Sequence, residues 1–314
     1  MRGEGRLAGS TTASLYTVML PRDHIGFRQQ VLAQIDRLKN QDLRTIEKEV
    51  IKKRTAWIDN LIAEETPVGR NNASPRFVFE TLFFRYMGLP PHELPVLREN
   101  DDEIVWASQN PCPTLEACRQ LALDTRVVCR AAYEKSTQAF VSRIDPQLRF
   151  LRDYDAIRPA SQHCIERIVR VSFEHMMRVA IEEAVISRRE GNKGYGAVAA
   201  LGAQILVRAH DTAASERDPC LHAEVNAIRQ ATRVLGDANL SGVILFSTCE
   251  PCAMCSSLAV WANVSAIVFG ASIDQTAARG KARILVPARE IVSRSPVTIE
   301  IVGGVLEQEC LSLY

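Results

Sequence analysis

The chain contains no apolar run approaching the ~18–20 residues that a membrane-spanning helix needs, and its first 14 residues are polar and Gly-rich, without the apolar core of a secretion signal. It has almost no net charge: 38 Lys and Arg against 37 Asp and Glu leave +1. That balance argues against a strongly basic nucleic-acid binder and against an acidic disordered tail. There is no internal repeat and no low-complexity segment. The cysteines number nine, and an odd count suits a disulfide framework poorly. Without an export signal the expected location is the reducing cytoplasm, where cysteines are thiols, metal ligands or nucleophiles. What remains is an ordinary globular composition, 46% hydrophobic and 24% charged over 314 residues. Such a length suggests two domains and needs no disulfide to bury a core.

The pattern divides the chain in three. Residues 1–20 read as a flexible arm rich in Gly, Ser and Thr. Residues 21–165 read as mainly helical. Apolar residues recur at helical spacing from Phe27 to Leu38 and from Leu43 to Ile62. A loop is expected over 66–75, then a short helix ending at Gly88, then a helix capped by Thr114. Residues 145–160 look irregular or partly extended. From 166 the texture changes. A long amphipathic helix is expected over 166–189, then a hairpin about Gly202, then strands alternating with helices: helix 223–235, strand 242–247, helix 252–262, strand 266–269. Such alternation predicts a layered α/β domain over 166–314.

The chemistry concentrates in His222-Ala223-Glu224 and Pro251-Cys252-Ala253-Met254-Cys255. A catalytic zinc takes three protein ligands and leaves one position open. His222, Cys252 and Cys255 supply three. Two cysteines three apart share one face at a helix start, Pro251 suits the first turn, and a helix N-terminus favours thiolate over thiol. Glu224, two residues from His222, cannot share its direction, so it fits a proton carrier better than a fourth ligand. Zinc brings the pKa of a water down to about 7, within reach of such a carboxylate. The competing reading is a closed structural site with Cys249 or Cys220 as fourth ligand.

The pattern H-x-E…P-C-x-x-C is the one by which zinc deaminases are recognised. Over about residues 172–314 the chain resembles the cytidine deaminase superfamily, in its guanine deaminase and tRNA adenosine deaminase-like branch. Further carriers of the likeness are Gly194-Tyr195-Gly196-Ala197-Val198, Asp218-Pro219, Thr248-Cys249-Glu250-Pro251-Cys252 and Gly303-Gly304-Val305-Leu306. The resemblance implies a three-layer α/β fold with a central five-stranded mixed sheet between helices, one Zn2+ per chain, and a homodimer. It also implies release of ammonia from the amidine carbon of an amino-substituted heterocycle. Where the family carries an Asn that recognises the base, this chain has Asp211 in Ala209-His210-Asp211-Thr212. A carboxylate offers acceptors only, so Asp211 would prefer a ligand edge rich in N–H groups. It could also be a turn residue bonding its own backbone. His210, Tyr195, Ala223, Glu250 and Trp261 complete the candidate pocket; the alternatives are a strand cap for His210 and core packing for Tyr195 and Trp261, while Glu250 could orient backbone or a ligand amine.

Two observations separate a small substrate from tRNA. Residues 166–314 carry 15 Lys and Arg and 16 Asp and Glu, a difference of −1, where an anticodon binder should be basic. The sequence also ends at Tyr314, leaving no room for a basic C-terminal helix. The expectation is therefore a deaminase of a free base, nucleoside or related compound, with tRNA editing and a non-catalytic zinc scaffold as alternatives. In the first half, Asn110-Pro111-Cys112-Pro113-Thr114-Leu115-Glu116-Ala117 through Cys129, and on to residues 149–164, resemble the family of L-2-amino-thiazoline-4-carboxylic acid hydrolase over about 60 residues. If that likeness carries function, Cys112 or another of Cys118, Cys129 and Cys164 would belong to a second site. The plainer reading is a helical domain with buried thiols.

Overall fold

The computed structural model describes residues 24–64, 72–282 and 284–314. The expected arm over 1–20 and most of the expected loop over 66–75 lie outside the described residues. Among the described residues no helix is long and apolar enough to cross a membrane.

The first half opens with two amphipathic helices, α1 (His24–Asn40) and α2 (Leu43–Glu64). Asp42 separates them, its carboxyl taking the N–H groups of Arg44 and Thr45. Helix α3 (Pro75–Glu80) starts on a Ser74 cap and runs on as a π-helical turn, Thr81–Tyr86. The helix expected from a Thr114 cap, α4 (Pro113–Leu121), is capped instead by Cys112, whose Sγ accepts the Leu115 N–H. Pro113 at the first helical position moves the boundary two residues back. Helix α5 (Thr125–Cys129) passes through a second π-helical turn, Arg130–Glu134, into α6 (Lys135–Ile144).

These helices lie on a sheet that the helical expectation for 21–165 did not contain. Strands β1 (Val96–Glu99), β2 (Glu103–Ser108), β3 (Leu148–Arg152) and β4 (Cys164–Arg170) form an antiparallel sheet in the order β1-β2-β4-β3. Its inner face carries Ile104, Trp106, Phe150 and Ile168 against Phe79, Phe83 and Phe140. Strand β4 also corrects the long helix expected over 166–189. Pairing with β2 and β3 holds residues up to Arg170 extended, and helix α7 (Phe173–Arg189) begins only after a Ser172 cap.

The second half is the expected three-layer fold. A five-stranded mixed sheet has the order β6-β5-β7-β8-β9, from β5 (Gly196–Leu201), β6 (Gln204–His210), β7 (Val243–Cys249), β8 (Ala266–Ala271) and β9 (Glu300–Val302). Strands β5 and β6 form the predicted hairpin, and β7, β8 and β9 run parallel. Every residue of β7 and β8 is buried, as strands covered on both faces require. One face packs on α8 (Ala223–Leu235) and α9 (Ala253–Trp261). The other packs on α7 and on α12 (Glu307–Leu311). Helix α7 can approach β5 because residue 196 is glycine: a Cβ there would lie 1.9 Å from the Ala180 carbonyl oxygen. The halves are joined by polar contacts. Lys135 Nζ donates to Asn263 Oδ1 at 2.6 Å and to the Thr298 carbonyl at 2.8 Å. Arg149 and Ser142 both reach Glu300 Oε2.

Candidate active site

The site forms where two helices begin at the C-terminal ends of central strands. The buried run Val243–Cys249 has too few polar residues to leave the interior, and it stops at Glu250-Pro251. Cys252 is the N-cap of α9, and His222 is the N-cap of α8. Neither uses its side chain to cap, so both side chains are left to the space between the helices. Cys255, one turn into α9, faces the same way.

His222 Nδ1 lies 3.7 Å from Cys252 Sγ and 3.5 Å from Cys255 Sγ, and the two sulfurs are 3.7 Å apart. These are edges of a donor triangle about one cation, with metal–ligand distances of about 2.0–2.3 Å. Among the described residues this is the one group of three such donors close enough to share a metal ion. Nitrogen and sulfur donors fit zinc, and three donors leave a tetrahedral position open. The fourth-ligand candidates lie elsewhere. Cys249 is buried with Sγ 3.7 Å from Thr276 Oγ1, and Cys220 is at the surface.

The electrostatics suit metal capture. The Cys255 thiol and His222 hold the Cys252 pKa down to about 3 against the effect of burial. Contact with Cys252, burial and the Glu224 charge push Cys255 up. Contact with Cys252 raises His222 as well. Of the two cysteines, Cys252 is the one whose surroundings favour the thiolate. Glu224 sits behind the triangle and is buried. Its Oε1 accepts Ser247 Oγ–H at 3.0 Å, and its Oε2 lies 3.6 Å from Cys255 Sγ. Burial raises its pKa, and the neighbouring Cys252 charge adds to that. A carboxyl so placed can take up a proton and pass it on.

The other candidates are dispersed. Asp211 is fully buried; its Oδ1 takes the Ala213 N–H at 3.3 Å, the turn bond that was the alternative, while its Oδ2 has no hydrogen-bond partner among the described residues. Its charge acts on His222. His210 is held between two carboxylates, Nδ1 on Glu183 at 2.8 Å and Nε2 on Glu190 at 2.9 Å. Glu250 gives both oxygens to backbone, Oε2 to Ile273 N–H at 3.1 Å and Oε1 to Ala288 N–H at 2.9 Å. Tyr195 packs its ring 5.0 Å from that of Tyr314, and Ala223 is buried in the core. Trp261 is 82% exposed at the far end of α9. Its neighbours Leu258, Ala259 and Ala262 pack on the core, so the indole lies on the helix face turned away from it.

Sequence reasoning passed over Ser247 and Asn226. Asn226 Nδ2 donates to the His210 carbonyl at 2.8 Å and to Thr212 Oγ1 at 3.1 Å, fixing the loop that leads to His222. The signal for Ser247 was a lone hydroxyl in an apolar strand just ahead of the cysteine motif.

The second half of the chain is similar to known proteins. Residues 171–271 match the cytidine and deoxycytidylate deaminase zinc-binding region. The chain is 34% identical over 137 residues to a tRNA-specific adenosine deaminase of Bacillus subtilis, covering 44% of this chain and 83% of that protein. It is 37% identical over 86 residues to a guanine deaminase of the same organism, covering 27% of this chain and 55% of that protein. Among solved structures, a guanine deaminase from Nitrosomonas europaea is similar at 20% identity and a TM-score of 0.41, over 46% of this chain and 82% of that one.

Proposed function

The chain belongs to the cytidine and deoxycytidylate deaminase family, and from that premise we propose that it hydrolyses a small amino-substituted heterocycle and releases ammonia. The observation that carries the reading is the buried Glu224 carboxyl set against the His222, Cys252 and Cys255 donor group. A non-catalytic zinc scaffold has no use for a carboxyl held there by Ser247.

Zinc held by His222, Cys252 and Cys255 would supply Lewis acidity at its open position, lowering the pKa of a water there. The remaining steps belong to the chain. Glu224 takes a proton from the attacking water and delivers it to the ring nitrogen beside the reacting carbon. Glu224 then takes the second proton, from the hydroxyl just added to the carbon, and passes it to the exocyclic nitrogen as the C–N bond breaks and the carbonyl forms. Water and amine become carbonyl and ammonia, and the carboxylate returns to its starting state. Ser247 keeps one oxygen of Glu224 fixed while the other moves the proton.

For substrate choice the reading rests on Asp211. Its second oxygen has no partner, and a carboxylate favours N–H donors on the edge it meets. A substrate with paired N–H groups on the edge away from the reacting carbon fits that chemistry. The balance of 15 basic and 16 acidic residues over 166–314 supports a free heterocycle. The 34% identity to a tRNA-specific adenosine deaminase favours a second reading, RNA editing. That reading requires tRNA binding that weakens steeply with salt.

The test is an ammonia-release screen of the zinc-loaded chain over purines, pyrimidines, pterins and triazines. Glu224→Gln serves as the control and Asp211→Asn as the selectivity probe. Turnover that falls about 10²–10⁴-fold in Glu224→Gln, with zinc retained, is expected. Asp211→Asn should shift preference by about 10–100-fold, the equivalent of 1–3 kcal/mol for one mismatched polar contact. Glu224→Gln turning over at the wild-type rate would refute the mechanism. A Asp211→Asn variant with unaltered preference would confine Asp211 to the turn.

A further inference from the structure

Asp211, on which substrate choice rests, is held at three of its four polar atoms. It follows the last residue of β6 and is fully buried. Its N–H donates to the Tyr195 carbonyl at 2.9 Å, its carbonyl accepts Ser187 Oγ–H at 2.8 Å, and its Oδ1 accepts the Ala213 N–H at 3.3 Å. Only Oδ2 has no hydrogen-bond partner among the described residues. Backbone bonding sets the residue beside the metal donors. Thr212 N–H donates to the Leu221 carbonyl at 3.0 Å, which ties the neighbour after Asp211 to the neighbour before His222. Asn226 on α8 holds the Asp211 side of that bridge through the His210 carbonyl and Thr212 Oγ1.

Ser187 supplies the hydroxyl of this clamp. It lies near the end of α7 and is 0% exposed. A serine inside a helix commonly returns its hydroxyl to the carbonyl one turn earlier. Ser187 instead reaches out of its helix, donating to Asp211 and accepting the Gly194 N–H at 3.2 Å. A hydroxyl is donor and acceptor on one atom, so a single oxygen can join a carbonyl to an N–H. The bonds close a ring: Ser187 to Asp211, Asp211 to Tyr195, and Gly194, next to Tyr195, back to Ser187. Residue 194 has to be glycine for this, since its φ is +81° and a Cβ there would meet Arg188 Cγ at 2.6 Å. The Gly196 N–H, bonded to Thr248 Oγ1 at 3.1 Å, anchors the ring to β7. The proton carrier stands apart: the contacts of Glu224 run to Ser247 and Cys255.

We propose that Ser187 is a positioning residue for substrate selection: it fixes where Asp211 Oδ2 meets the ligand and takes no part in the chemistry. The inference rests on the deaminase reading above and extends it to a residue outside the zinc motif. A hydrogen bond weakens steeply with misdirection, and a displacement of about 1 Å in a positioned group can cost about 10²-fold. Without the Ser187 hydroxyl, the Asp211 carbonyl and the Gly194 N–H lose their partners together. Asp211 is then left to the Tyr195 and Ala213 bonds. Substrates that offer a further N–H group to Asp211 should lose their advantage, while proton transfer by Glu224 keeps its rate.

The experiment measures ammonia release by the full, zinc-loaded chain on matched heterocycles: adenine with diaminopurine, aminopyrimidine with diaminopyrimidine, and aminotriazine with triaminotriazine. Zinc per chain and Tm are recorded on the same samples. Wild type should favour the member with the extra amine. Ser187→Ala should keep its zinc and hold kcat within about 3-fold, while KM rises and the preference falls by about 10-fold each. Ser187→Cys keeps the volume and weakens both bonds; it should show the same shift at smaller size, and it decides the matter if the alanine variant does not fold. In an Asp211→Ala background, Ser187→Ala should change KM by no more than about 2-fold, because it acts through Asp211. Ser142→Ala, at the seam between the halves, should lower Tm and leave KM alone. Wild-type KM and preference in Ser187→Ala would overturn the proposal. So would losses that multiply with those of Asp211→Ala, or a loss of zinc that accounts for the change. A wild type that turns over none of the heterocycles defeats the deaminase reading itself, and this inference with it.

Discussion

Replacing Glu250 with alanine should damage the fold around the metal rather than substrate binding. The Glu250 side chain is 6% exposed and accepts two backbone N–H groups, those of Ile273 and Ala288. Both lie in the first residues of short helices, α10 (Ile273–Ala278) and α11 (Ala288–Ser293), whose leading N–H groups have no intrahelical partner. Glu250→Ala strands two buried donors at about 1–3 kcal/mol each, or about 4 kcal/mol at the middle of the range. At about 2–4 °C per kcal/mol for a domain of this size, Tm should fall by about 8–16 °C. Glu250→Gln keeps one acceptor and turns an N–H donor toward the other helix, so about half the loss or more should remain. Urea unfolding followed by circular dichroism, with zinc content measured on the same samples, separates the outcomes. If Glu250→Ala keeps wild-type stability within about 0.5 kcal/mol and loses turnover instead, the carboxyl holds a ligand amine and the structural reasoning fails.

Cys255→Ser should weaken zinc retention about 100-fold or more, read as metal per chain after dialysis against a weak chelator. Because the Cys255 pKa is pushed up in the metal-free site, zinc uptake should release a proton and tighten as pH rises; an affinity flat from pH 6 to 8 would contradict this. For His210, burial disfavours the charged ring, but Glu183 and Glu190 outweigh it and raise the folded pKa above 6.5. Its stabilisation is therefore complete below about pH 6.5 and lost as pH rises through the folded value. His210→Gln should cost about 0.5–1 kcal/mol at pH 6 and less at pH 9, after allowing for partial exposure; an equal Tm difference at both pH values would refute it. Lys135→Met should cost about 1–3 kcal/mol and remove hydrogen-exchange protection near residues 298–302, since it strands the Asn263 and Thr298 acceptors.

The second half was legible because its strands and helices differ in period and its metal donors sit in short, fixed spacings. Helix 223–235 is where the apolar repeat placed it, and His222, Cys252 and Cys255 converge. Strand β4 was misread for a definite reason. Its inward face carries Glu166 beside Ile168, and its outward face carries Ile165 and Val169. A charged residue pointing inward erases the two-residue alternation, and Ile165 and Ile168 then mimic a helical step. Glu166 can point inward only because Arg152, Trp106 and Ser108 meet it there, and those partners lie 14, 60 and 58 residues away. His210 and Glu250 were placed in a pocket by their proximity to the motif. Their actual partners, Glu183 with Glu190 and the starts of two later helices, are set by tertiary packing that no local spacing encodes.

The link between Glu300 and Arg149 has a consequence for how this protein can be cut. Strand β9 is the lateral margin of the five-stranded sheet, three residues long, and an open margin invites pairing with another chain. Ser142, Arg149 and Lys135 occupy that margin from the first half, holding Glu300 and the Thr298 carbonyl. The first half thus acts as a stopper against sheet extension. A fragment limited to residues 171–314 would keep every zinc donor yet expose that margin, and should self-associate through it. Oligomers of such a fragment would report the loss of the stopper, not the assembly of the intact chain.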